Sequence, residues 1–121
     1  MIDLHMHTTA SDGTFSPTKL VERARAAGIA TMSVTDHDTM AGVSEAAEAA
    51  ATHGIELLPG IEITAVADGR DVHMLAYFLD PQPQGLEEFL VRQRADRIRR
   101  AKKMSEKLST WFIDNPQDKC F

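Results

Sequence analysis

"SPTKLVERARAAGIATMSVTD", residues 16–36, joins a helix to the strand that follows it. Ser16 is suited to an N-cap, with Pro17 at the first helical position. Leu20, Val21, Ala24 and Ala27 recur at helical spacing, and Gly28 supplies the C′ stop. Residues 29–36, "IATMSVTD", are a short apolar run rich in β-branched side chains, which predicts a buried strand. Upstream, residues 1–6 alternate and read as another strand. The front of the chain is therefore strand–helix–strand, a crossover unit whose strands run parallel.

Downstream, "AGVSEAAEAAATH", 41–53, predicts a second helix closed by Gly54. "IELLPGIEITAVA", 55–67, reads as a strand interrupted near Pro59-Gly60. "DGRD", 68–71, is a turn, and "VHMLAYFLD", 72–80, is the next strand. A four-residue connection predicts an antiparallel hairpin. "PQPQG", 81–85, is a break. A long amphipathic helix runs from Leu86 to Phe112, with Leu86, Phe89, Leu90, Ile98, Met104, Leu108 and Phe112 on or near one face. The order is β-α-β-α-β-β-α, an α/β class with helices packed on a parallel sheet. One domain over 1–113 and a frayed tail over 114–121 complete the expectation.

At 121 residues with 43% apolar and 26% charged residues, the chain suits a globular domain with a modest core. No apolar run approaches the roughly 20 residues that span a bilayer. The N-terminus lacks a secretory pattern, and a lone Cys120 suits a reducing compartment, so a cytoplasmic location is expected. A net charge of −5 argues against a general nucleic-acid binder. Eight basic residues (Arg92, Arg94, Arg97, Arg99, Arg100, Lys102, Lys103, Lys107) nevertheless lie between Phe89 and Ser109. They could meet nucleic-acid phosphates, but a solvated helix face is the simpler reading, and no aromatic residues are interleaved for base stacking.

Candidate ligands gather where predicted strands end. His5 and His7 are two residues apart on a strand and point to one side. Asp12 follows in the first loop. Asp36, His37 and Asp38 sit in "TDHD" at the end of the second strand, Glu62 in "GIEIT" and His73 in "DVHML". The C-terminal strand ends form the functional edge of a parallel α/β sheet. Imidazole with carboxylate suits zinc, manganese or iron. Glu62 could bridge two cations, which an imidazole cannot. Each feature has an ordinary alternative: paired histidines on a solvated strand, or a satisfied core histidine at His73. His53, beside Gly54, reads as a helix-end cation. Asp36 and Asp38 read as groups orienting His37.

"DLHMHTTASDG", "GIATMSVTDHDTMAG", "LLPGIEIT" and "DVHMLAYFLD" together resemble the N-terminal half of the PHP (polymerase and histidinol phosphatase) family of metal-dependent phosphoesterases. The likeness is strongest to stand-alone members acting on nucleoside bisphosphates and short RNA 5′ ends. It implies half of a distorted (β/α)7 barrel with up to three divalent metals, zinc, manganese, iron or magnesium. His5 and His7 resemble ligands of the first metal, Glu62 the bridge to the second, His73 a ligand of the second, and Asp12 and His37 ligands of the third. Glu62, His37 and Asp36 are the expected catalytic groups. The implied reaction is attack of an activated water on the phosphorus of a phosphorylated small molecule or nucleic-acid end.

The family's later ligands, a His and an Asp-x-His pair, have no counterpart after His73. A barrel of this kind also needs roughly 200 residues or more. The expectation is therefore a piece of a phosphoesterase with fewer metals, or a homodimer covering the open barrel edge. The alternative is a non-catalytic metal-binding or oligomerising module.

Overall fold

The computed structural model describes residues 1–79 and 85–114, with side chains described as far as 111. The elements are β1 (Ile2–Met6), α1 (Pro17–Ala26), β2 (Thr31–Val34), α2 (Val43–His53), β3 (Glu56–Ala67), β4 (Arg70–Tyr77) and α3 (Leu86–Asp114). The expected order stands. The break at 81–85 lies outside the described residues except Gly85, as does the tail beyond Asp114, which itself ends α3.

Local chemistry sets the first two helices. Ser16 caps α1 by accepting a hydrogen bond from the Lys19 amide at 3.3 Å, and Pro17 follows at the first helical position. Gly54 closes α2 in the left-handed conformation. The sheet order is β1-β2-β3-β4, with β1/β2 and β2/β3 parallel and β3/β4 antiparallel. Val21 and Ala24 from α1 and Ala46, Ala49 and Ala50 from α2 pack with Ile29, Met32, Val34 and Ile55 in one core. The helices thus bury their small apolar faces together against the parallel strands, as a crossover unit requires.

Two strand expectations are corrected. β3 is not interrupted at Pro59-Gly60; it changes partner there. Residues 56–59 pair with β2, while 60–67 pair with β4. A Cβ on Gly60 would lie 2.4 Å from Ser33 Oγ, so glycine lets β3 press against β2 at the changeover. The hairpin loop is two residues rather than four. Asp68 and Gly69 both have positive φ (51° and 75°), the primed turn that matches the twist of the flanking strands.

α3 departs further from expectation. Of its predicted apolar face, Leu90 is buried, but Ile98, Met104 and Leu108 are 58%, 61% and 57% exposed. Three of its arginines face the body instead. Arg94 Nη1 donates to the Asp38 carbonyl at 2.8 Å, Arg97 stands 3.7 Å from the Asp38 carboxylate, and Arg100 pairs with Asp71. The i, i+3, i+6 spacing puts these three residues on one side of the helix.

Candidate metal centre

The backbone brings together side chains that are far apart in sequence. The Thr35 amide donates to the Met6 carbonyl at 2.8 Å, which aligns the ends of β1 and β2. A register irregularity between Asp3 and Met6 lies beside His5. The Glu62 amide donates to the Asp36 carbonyl at 3.2 Å and the Asp38 amide to the Glu62 carbonyl at 2.9 Å, so His37 is bridged to Glu62. On the hairpin, Thr64 opposes His73, which places Glu62 and His73 diagonally on the same face.

The result is one carboxylate ringed by four imidazoles. Glu62 Oε2 is 2.9 Å from His5 Nε2, 3.1 Å from His7 Nε2 and 3.8 Å from His37 Nδ1. Oε1 is 2.8 Å from His73 Nδ1. Asp12 flanks the ring, 3.3 Å from His7 Nδ1 and 3.7 Å from His37 Nε2. Neighbouring rings His5–His7, His7–His37 and His37–His73 have centroids 5.1, 4.7 and 5.1 Å apart. His5, His7, Asp12, His37, Glu62 and His73 thus converge, while His53 stays at the end of α2.

The electrostatics fit cation binding. Burial works against the charge on Glu62, but the hydrogen bond from His5 and the fields of His37, His5 and His7 leave its carboxyl below the usual range. Burial pushes the His37 imidazole down, Glu62 opposes this, and Arg97 adds to it. The Nδ1 atoms of His7 and His37 are buried without a hydrogen-bond partner among the described residues. Among the described residues, three sets of donors could each hold a cation: His5–His7–Glu62, His7–Asp12–His37 and His37–Glu62–His73. Within each, the donor atoms lie within 4.8 Å of one another. Ligands about 2.0–2.1 Å from a tetrahedral zinc stand about 3.3 Å apart, close to the spacing around Glu62.

Asp36 differs from expectation. Its hydrogen bonds go to Thr8 and Ser11 in the loop after β1, rather than to His37. Asp38 accepts from the Thr64 amide at 3.0 Å and faces Arg97, so it joins the second strand end to β3 and α3. The sequence reading missed Thr8, Ser11 and the inward arginines. The regular spacing of Arg94, Arg97 and Arg100 was the available signal for the last. A cleft of about 800 Å³ beside the ring is lined by Thr64, Asp71, His73, Arg97, Arg100 and Lys103 among others.

Known proteins resemble this chain in sequence and in fold. A model of the PHP domain matches residues 3–115. The chain is 43% identical over 116 residues to a 5′-3′ exoribonuclease of Haemophilus influenzae, covering 96% of this chain and 42% of that protein. It is 39% identical over 107 residues to a 3′,5′-nucleoside bisphosphate phosphatase of Chromobacterium violaceum, covering 88% of this chain and 38% of that one. The solved structure of an amidohydrolase from Chromobacterium violaceum with bound sulfate matches with a TM-score of 0.82 at 38% identity, over 90% of this chain and 38% of its own. The chain therefore spans about two fifths of the length of these relatives. Its curled sheet of four strands with three helices is a partial PHP barrel. On the strength of both sequence and fold, the chain belongs to the PHP family.

Proposed function

We propose that this chain carries the N-terminal metal-binding part of a phosphoesterase acting on nucleotide-type phosphate esters, with residues 1–113 as its partial domain. The observation that carries this reading is the division of Glu62. One oxygen faces His73 and the other faces His5 and His7, the disposition of a carboxylate shared between two cations. His5 and His7 would hold a first cation, His73 a second with Glu62 shared between the two, and Asp12 and His37 a third. An imidazole-rich donor set favours zinc, manganese or iron over magnesium. Water would complete the coordination of a bound cation.

Divalent cations bound there would polarise the phosphoryl group and lower the pKa of a water. The chain's own residues hold the surroundings. Glu62 stays ionised, because its carboxyl lies below the usual range. His37 stays neutral with a lone pair to offer, because burial depresses its basicity. Arg97, Arg100 and Lys103 line the adjoining cleft and supply positive charge for phosphate oxygens. Nucleoside bisphosphates and RNA degraded in the 5′-3′ direction are the substrate classes suggested by the relatives' names.

No described helix is long and apolar enough to cross a membrane, and a cytoplasmic location completes the reading. β1 lies at the sheet edge, with Ile2 66% exposed, so a second copy covering that edge is the homodimer we propose. Light scattering tests it, and a clean monomer refutes it. The activity test is hydrolysis of a generic phosphomonoester with added Mn²⁺. The parent chain should exceed Glu62→Ala, whereas equal rates favour a non-catalytic metal-binding module.

A further inference from the structure

Asp36 is 1% exposed, and among the described residues the hydrogen-bond donors to its carboxylate come from the loop after β1. Oδ1 accepts from the Thr8 amide at 2.7 Å and the Ser11 hydroxyl at 2.6 Å. Oδ2 accepts from the Thr8 hydroxyl at 2.7 Å. An acceptor-only carboxylate suits three donors, and such bonds offset the cost of burying it. Thr8 is the hub of the loop. Its carbonyl accepts from the Ser11 and Gly13 amides at 3.1 and 2.9 Å, and its hydroxyl accepts from the Ala10 amide at 3.1 Å. The winding is tight: a Cβ on Gly13 would lie 2.3 Å from the His7 carbonyl oxygen.

Asp12 rides on this loop. Its side chain is 60% exposed, and the Ser11 hydroxyl, 3.3 Å from Oδ1, gives it little support. That hydroxyl has one proton, and the closer oxygen belongs to Asp36. The place of the Asp12 carboxylate between His7 and His37 therefore follows from the loop's path, which Asp36 holds.

We propose that Asp36 is a positioning residue for one cation site. By clamping Thr8 and Ser11 it makes the His7–Asp12–His37 set, without touching the cation itself. This rests on the metal-binding reading above and extends it to a residue outside the donor sets. Neutral Asn at this position keeps one acceptor oxygen but turns an amide toward donors of the loop.

The test uses the metal-stripped full chain, titrated with zinc alone, together with amide exchange in the metal-free protein. Asp36→Asn should weaken one zinc site by about 10–100-fold, the usual cost of disturbing a ligand's support, and leave the others at parent affinity. Asp12→Ala should weaken the same site, and adding Asp36→Asn to it should cost nothing more there. Ser11→Ala, which spares both Thr8 bonds, should give a smaller loss at that site. Exchange over residues 9–13 should quicken in Asp36→Asn and hold its parent rate in Asp12→Ala. Unchanged zinc affinities, a uniform fall at every site, or unchanged loop exchange would each overturn the proposal. A parent chain that binds no zinc defeats the metal reading itself and the affinity claim with it. Loop exchange then still reports whether Asp36 holds the loop.

Discussion

His73 Nδ1 stands 2.8 Å from Glu62 Oε1 across the β3–β4 hairpin, although the two residues are not directly opposed. Glu62 opposes Leu75, and His73 opposes Thr64. Side chains two positions off register share a face and can meet when they are long. The Asp68-Gly69 turn fixes this register, because a slip by one residue would carry His73 to the other face.

Glu62 touches every imidazole of the ring, so its removal should do more damage than that of any single histidine. Elemental analysis after dialysis should show Glu62→Ala losing most of the bound metal. His5→Ala with His7→Ala should lose most as well, whereas His53→Ala at the end of α2 should retain the parent content. Parent metal levels in the double histidine variant would refute the ligand assignment.

The inward side of α3 should be felt by phosphate and the outward side should not. Arg97→Ala should weaken inhibition of the Mn²⁺-supported hydrolysis by inorganic phosphate about tenfold or more. A hydrogen bond to a charged group contributes about 1.5–3 kcal/mol. Arg92→Ala, on an exposed part of the helix, should leave the inhibition constant near its parent value. Equal effects of the two changes would reduce the arginines to general surface charge.

Acidification should destabilise the metal-free protein. Burial holds His37 below the usual imidazole range, so the unfolded chain takes up a proton near pH ~6.5 that the folded chain refuses. This contribution is intact above that pH and is lost as the pH falls toward the folded value. Glu62 acts in the same direction at lower pH: its stabilisation is present above about pH 4.3 and disappears as the pH falls through its depressed folded value. Urea midpoints should fall between about pH 8 and 5. His37→Asn should flatten the upper part of that slope, and an unaltered slope would exclude His37 as its source.

The core under the parallel strands should behave as a packed interior. Met32 is fully buried on β2 among α1 and α2 residues. Met32→Ala should cost about 2–5 kcal/mol by urea unfolding of the metal-free chain. Ile98→Ala, at a side chain 58% exposed on α3, should cost far less.

The sequence by itself determined the elements and most of the ligand types. Ser16-Pro17, Gly28 and Gly54 bound the first two helices through local backbone chemistry, and β-branched runs marked the strands. His5 and His7 could be paired on one side because strand periodicity is local. Other features depended on contacts between distant segments. Only the tertiary structure decided that β3 would change partners at Gly60, since that depends on Ser33 lying beside it. Only it decided that α3 would turn Arg94, Arg97 and Arg100 inward, because Asp38 and Asp71 offer those charges partners that helical periodicity cannot reveal. Asp36 is the clearest case. Its place beside His37 in the sequence suggested a role at that ring, but a carboxylate turns toward its donors. Those donors are Thr8 and Ser11, 28 and 25 residues away.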